Sequence, residues 1–254
     1  MPTVALAKVG MAALRDGDVV VTSLLMFLAI IIALLIPIGA EAQDLPYNDV
    51  PDGIWYEDEV KGFLDLGYLD KNQESFRAGD RALRSEFMKL VVELNGGILD
   101  EIPTDPSFSD VSPGDWFFSY LEEAAREGWT QGDGNCYALR RAPSGLAPAS
   151  AKATAGRQDD SECFVRPRDP ISRAEAAILI RRAFGKTLLK KAPAFADNPS
   201  GEWFTEAIQS AADHCILRGD DGTRTVRPHD FLNRAEMVVM LQRVDNGGKY
   251  PNCL

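Results

Sequence analysis

One arrangement of residues occurs three times in this chain, and a chain made of copies of one unit folds by packing those copies against each other. The copies open "YNDVPDGIWY" (47–56), "FSDVSPGDWFF" (108–118) and "FADNPSGEWF" (195–204). Each begins with an aromatic residue (Tyr47, Phe108, Phe195) and has an aspartate two positions on (Asp49, Asp110, Asp197). A tryptophan follows six after that (Trp55, Trp116, Trp203), and another aromatic comes next. Later in each copy two arginines stand seven apart: Arg77 and Arg84, Arg166 and Arg173, Arg227 and Arg234. A glutamate lies two beyond the second arginine. Three matches at fixed spacing set the organisation of the whole region.

The periodicity predicts two helices per copy. Apolar residues five, eight and nine past each tryptophan share one helical face: Val60, Phe63 and Leu64; Leu121, Ala124 and Ala125; Ile208, Ala211 and Ala212. Twelve past the tryptophan stand Gly67, Gly128 and Cys215. Glycine suits a left-handed cap, so the helix before Cys215 is expected to end differently or run on. The second helix starts at the second arginine, with apolar positions at Phe87, Leu90, Val91 and Leu94; Ala176, Leu179, Ile180 and Ala183; Met237, Met240, Leu241 and Val244. The middle copy is longer, through an inserted segment 137–162 rich in Ala, Ser, Gly and Pro that reads as a surface loop.

Ahead of the copies, Val19 to Ile38 is nearly continuous apolar sequence after Lys8 and Arg15, and "GAEAQD" follows. Residues 1–42 are expected to be a signal peptide cleaved after Ala42, or a membrane anchor through 19–38. In both cases the remainder is exported. Four cysteines agree with export. The preferred pairs are Cys136–Cys163, which bracket the insertion, and Cys215–Cys253. The chain's formal charge is −11. No run of Lys and Arg dominates, which argues against nucleic acid. His214 and His229 have no metal-ligand spacing, and no metal or cofactor is expected.

With the motifs "FSDVSPGDW", "GWTQGDGN" and "FVRPRDPISRAE", and their counterparts "FADNPSGEW" and "RGDDGTRTVRPHDFLNRAE", the chain resembles the S-layer homology family. The first copy is more divergent: "YNDVPDGIW" and "GYLDKNQESFRAGDRALRSE". The resemblance implies units at 43–98, 104–187 and 191–254. It implies a mainly α fold of three helix-loop-helix repeats in a pseudo-threefold helical bundle, with grooves between units. It further implies non-covalent, non-catalytic attachment to a secondary cell-wall polysaccharide, often with pyruvylated sugars, at the cell surface.

The arginine at each helix start poses the sharpest physical question. The helix dipole disfavours a cation there. A capping box accounts for Ser172 with Glu175 and for Asn233 with Glu236, but not for the arginine. An anionic ligand held by Arg173 and Arg234 would offset the placement, with Arg84 the less favoured candidate because Leu83 replaces its capping residue and its loop lacks the glycines; so would an ion pair to an acidic residue of the same or a neighbouring unit. On the ligand reading, replacing Arg173 and Arg234 with Ala is expected to abolish wall binding and leave folding intact. Trp55, Trp116 and Trp203 are either core residues, the favoured reading, or stacking platforms for sugars. Asp49, Asp110 and Asp197 are expected to form turns or cap helices. The turns at Asp133–Gly134 and at Asp220 to Gly222 look tight, and the resemblance places Gly134 and Gly222 in the groove lining. No placed pair of carboxylates and no nucleophile with its base points to an enzyme. With residues 1–42 removed the charge is −10, since Lys8 and Arg15 leave with Asp16, Asp18 and Glu41. That repels an anionic polymer at long range. The alternative is therefore an envelope adaptor that contacts a protein partner through the same grooves, with or without a membrane tether.

Overall fold

The computed structural model describes residues 45–99, 102–134, 136, 162–186, 195–220 and 222–247. The N-terminal segment, nearly all of the insertion and Cys253 lie outside these, so the expectations placed on them are not addressed by the structure. The described residues are mainly helical. Helices α1 (Glu57–Asp65), α2 (Arg84–Leu94), α3 (Phe118–Arg126), α4 (Arg173–Ala183), α5 (Thr205–Asp213) and α6 (Arg234–Asp245) carry the fold. The one strand pair is β1 (Asp133–Gly134) with β2 (Cys163–Phe164), antiparallel, with Gly134 opposite Cys163.

The expected apolar faces are the buried ones. Val60 and Phe63 on α1, Leu121 and Ala124 on α3, and Ile208 and Ala211 on α5 are almost fully enclosed. So are Phe87, Leu90 and Val91 on α2, Ala176 and Ile180 on α4, and Met237 and Leu241 on α6. Each large side chain so enclosed contributes about 1.5–3 kcal/mol relative to exposure. The helices of one copy do not pair with each other. Instead α2 packs on α3, α4 on α5, and α6 back on α1. Every arginine helix therefore lies against the tryptophan helix of the next segment, and the last closes on the first.

A cycle of backbone hydrogen bonds joins the three loops before these helices. The Ala82 N–H donates to Leu232 O (2.9 Å), Leu232 N–H to Ile171 O (3.0 Å), and Ile171 N–H to Ala82 O (2.9 Å). All three side chains are buried, so these amides would lack any other partner away from water.

Helix ends depart from expectation in one place. Gly67 and Gly128 have φ of 77° and 73°, as a left-handed cap requires. Cys215 adopts the same conformation, φ 63°, and its N–H bonds Ala212 O at 2.9 Å. The third tryptophan helix thus ends as the other two do, with a buried cysteine tolerating a backbone that usually selects glycine. The Cys136–Cys163 disulfide is present, with Cα atoms 5.0 Å apart. It ties β2 to the loop after β1, so Asp133–Gly134 belongs to a strand pair rather than to the tight turn expected. Gly222 does sit in a turn, at φ 83°.

Candidate functional site: three grooves on one ring

The aspartates of the opening motif neither cap helices nor make their own turns. Each carboxylate reaches well along the chain, by 27–30 residues in the first and third copies and by 55–56 across the insertion in the second, and accepts two consecutive amides. Asp49 takes Phe76 N–H (2.7 Å) and Arg77 N–H (2.6 Å). Asp110 takes Val165 N–H (3.0 Å) and Arg166 N–H (2.7 Å). Asp197 takes Val226 N–H (2.8 Å) and Arg227 N–H (2.7 Å). The clamp holds the first arginine of each pair left-handed, with φ of 58°, 51° and 52°. Burial raises the Asp49 pKa, but bonds from Ser75 and the two amides outweigh it and leave the group below its ordinary value.

The helix-start arginines have their carboxylate partners within the chain. Arg84 Nη1 lies 2.5 Å from Glu175 Oε1, and Arg173 Nη1 lies 2.7 Å from Glu236 Oε1. Arg234 Nη1 contacts Glu86 Oε1. Each glutamate divides its two oxygens. Oε1 accepts the neighbour's arginine, while Oε2 accepts the amide of its own N-cap: Leu83 (2.9 Å), Ser172 (2.9 Å) or Asn233 (3.0 Å). The capping side chains of Ser172 and Asn233 complete the box, and Leu83 leaves it half made. First-turn amides are taken as well. Arg84 N–H donates to Asp169 O, Arg173 N–H to Asp230 O, and Arg234 N–H to Asp80 O. The amides of Ser85, Ala174 and Ala235 donate to Pro167 O, Pro228 O and Ala78 O. These helix starts therefore carry no open row of amides for an anion. The arginine tolerates the helix dipole because a neighbouring helix start supplies a charge-assisted acceptor. Arg173 and Arg234 are buried, at 9% and 8% exposure.

The tryptophans are exposed, Trp55 at 58%, Trp116 at 57% and Trp203 at 60%. The core role favoured for them goes to the next residue: Tyr56, Phe117 and Phe204 are buried and meet the indoles edge-on at 5.2–5.3 Å. Each indole lines a groove whose other walls come from two different segments. Groove I holds Trp116, Arg234 and Glu86, with Tyr68 to Asp70 and Lys89, in about 330 Å³. Groove II holds Trp203, Arg84 and Glu175, with Thr130 to Asp133, Arg166 and Arg182, in about 380 Å³. Groove III holds Trp55, Arg173 and Glu236, with Leu217 to Asp220, Arg227 and Arg243, in about 190 Å³. Every groove thus draws on all three segments and exists only when the ring is closed.

Gly132 lines groove II and Gly219 lines groove III. A Cβ on Gly132 would stand 2.7 Å from Cys136 Sγ, and one on Gly219 2.6 Å from the Phe195 ring. Both positions need glycine for close packing behind the groove wall.

Sequence reasoning missed several groove residues. Nine past the helix-start arginine stand Arg182 and Arg243, while the first copy has Glu93. Burial, then the charge of Arg181, lowers the Arg182 pKa from its ordinary value. The Asp220 hydrogen bond raises that of Arg227. Lys89 stands five past Arg84, where the other copies have Ile178 and Val239. Its ammonium lies 2.6 Å from Tyr68 O and 3.8 Å from Glu93. Tyr120 also donates to Glu93 (2.8 Å), and burial followed by that bond pushes the phenol up to about 12. Aligning charged positions across the copies, beyond the shared motif, would have found this divergence.

His214 bonds Ser210 O and His229 meets the Phe204 ring edge-on. Among the described residues no cluster of His, Cys, Asp and Glu could hold a metal ion, and no helix is long and apolar enough to cross a membrane.

The fold and grooves define a ring-closed helical scaffold with aromatic and charged clefts. Comparison with known proteins is consistent with that scaffold. A family model described as the S-layer homology domain matches residues 107–135, which span Trp116 and the loop to Gly134. The chain is 22% identical over 212 residues to Exoglucanase XynX of Acetivibrio thermocellus, covering 81% of this chain and 17% of that protein. It is 23% identical over 210 residues to the Amylopullulanase of Thermoanaerobacterium thermosulfurigenes, covering 80% of this chain and 10% of that protein. The chain therefore spans a small part of the relatives it matches. The family match supports cell-surface association and a binding-module character.

Proposed function

We propose that the chain is an exported, non-catalytic envelope module made of three S-layer homology units, at 43–98, 104–187 and 191–254, arranged about a pseudo-threefold axis. It attaches to a secondary cell-wall polysaccharide laid in the inter-unit grooves. Sugar rings stack on Trp55, Trp116 and Trp203. Arg84, Arg173 and Arg234 contribute to the groove walls while their guanidinium groups brace the ring. Anionic substituents such as pyruvyl ketals meet the outer arginines. Gly134 holds the strand pair, and Gly222 the turn, behind grooves II and III.

The observation that carries this reading is the set of large exposed indoles at the grooves. An aromatic ring more than half open to water forgoes burial, and here one does so at each of the equivalent positions beside a cleft. The relatives' printed activities fit a partnership with carbohydrate. Sedimentation with cell-wall sacculi tests it. Binding to native sacculi and loss of binding after acid stripping of secondary polymers is the expected result. Binding to neither preparation would move the grooves to a protein partner.

A further inference from the structure

We infer that the three grooves are graded in anion selectivity, with groove III the carboxylate-selective site and Arg218 the residue that sets its selectivity. The inference rests on the groove-binding reading above and assigns ligand chemistry to each groove.

The motif residues are alike in all three grooves, so the grading comes from what differs. Fifteen past each tryptophan stand Asp70, Gln131 and Arg218. All three line their grooves. One position thus steps from anion to neutral amide to cation around the ring. Arg218 is exposed and makes no hydrogen bond or ion pair among the described residues. Its neighbours Asp220 and Arg227 are already engaged with each other at 2.8 Å. Its planar fork is open to receive a carboxylate through two parallel bonds.

The formal charge of the described lining follows the same order. Groove III sets Arg173, Arg218, Arg227 and Arg243 against Asp220 and Glu236, a net of +2. Groove II sets Arg84, Arg166 and Arg182 against Asp133 and Glu175, a net of +1. Groove I balances Lys89 and Arg234 with Asp70 and Glu86. These are local fields on a chain whose overall charge is negative, so selectivity is set within a Debye length of the groove rather than by long-range steering.

Arg173 differs from its counterparts too. Arg84 Nε donates to Val165 O (2.9 Å) and Arg234 Nε to Phe76 O (2.8 Å), whereas the buried Arg173 Nε has no partner. The wall arginine of groove III is therefore the least committed of the three. Groove I has the opposite character. Tyr47, Tyr68 and Phe76 line it, and its lysine is held by Tyr68 O and Glu93. It suits an uncharged sugar face.

The indole N–H signals of Trp55, Trp116 and Trp203 report grooves III, I and II separately in a proton–nitrogen NMR titration of the full chain. The probes are a pyruvyl-ketal glucoside and its methyl ester, which differ by one charge. The acid should move Trp55 at the lowest concentration and Trp203 next, and should move Trp116 no more than the ester does. Arg218→Gln, an exposed change to the residue groove II carries, should weaken the acid at Trp55 roughly tenfold and leave the ester unchanged. Equal titration of Trp55 by acid and ester, or an unchanged acid affinity in Arg218→Gln, would overturn the grading while leaving groove binding in place. No movement of any indole with either probe would remove the groove-binding reading and the grading together.

Discussion

The joints of the ring and the walls of its grooves lie only a few residues apart on the same helices, yet they behave oppositely under repetition. At the joints every copy does the same thing: arginine to the next glutamate, first-turn amides to the next loop, aspartate to two amides. On the walls the copies diverge, through Asp70, Gln131 and Arg218, and through Glu93, Arg182 and Arg243. Where one chain carries three solutions to one packing problem, identity marks what the ring needs to close. Divergence marks where a copy is free to acquire its own chemistry.

The largest effect should come from breaking a joint. Arg234→Ala strands Glu86, whose side chain is only 20% exposed, and removes the bond to Phe76 O. Losing one partner of a buried pair costs about 3–5 kcal/mol. Urea unfolding should show that loss, and all three grooves should weaken together because each draws on all three segments. The expectation from sequence, that these arginines could be removed without harm to folding, is reversed by their partners in the structure. An unfolding free energy unchanged in Arg234→Ala would return them to the ligand.

The disulfide sharpens the comparison from the other side, because it touches one wall only. Replacing Cys136 and Cys163 together with Ser opens a span of 27 residues. The chain-entropy model puts the loss at about 3 kcal/mol. If the grooves bind sugar as proposed, then below the unfolding transition the binding reported by Trp203 should weaken while that reported by Trp55 holds. Equal weakening at both would mean that the strand pair supports the whole ring.

Asp197→Ala should cost less. It frees two amides and releases Arg227 from its left-handed backbone. Hydrogen bonds to a charged group are worth roughly 1.5–3 kcal/mol each, but the exposed Arg227 amide recovers much of its loss from water, so about 2 kcal/mol is expected. Thermal unfolding would measure it. A loss as large as that of Arg234→Ala would make the clamp, rather than the ion pair, the main joint.

Much of this was legible in the sequence. The helices, their buried faces, the two full capping boxes and the Cys136–Cys163 bridge follow from spacing, because helix periodicity and local loops are short-range properties. What was not legible lies between copies. Glu175, Glu236 and Glu86 read as capping residues, and they are; nothing local says that their second oxygen serves an arginine some 60 to 150 residues away. The aspartate clamp was hidden for the same reason. Large aromatics usually bury, which favours a core place for the tryptophans, but the adjacent Tyr56, Phe117 and Phe204 take that place. Cys215 shows how a strong local rule yields: the tertiary fold holds the cap shape without its usual glycine.

The smallest effect expected is a pH dependence at the first copy's clamp. Asp49 has a folded pKa below its ordinary value of 3.8. A depressed carboxylate binds fewer protons folded than unfolded, so stability rises with pH through that window. Its contribution is whole above the unfolded pKa and is lost as pH falls through the folded one. Melting temperatures followed from about pH 5 down to about pH 2 should therefore fall more steeply for the wild type than for Asp49→Asn, which keeps an acceptor oxygen but no titrating charge. The variant should start lower at neutral pH and converge on the wild type in acid. Parallel curves would show that the amide contacts, and not the charge, secure the loop at Arg77.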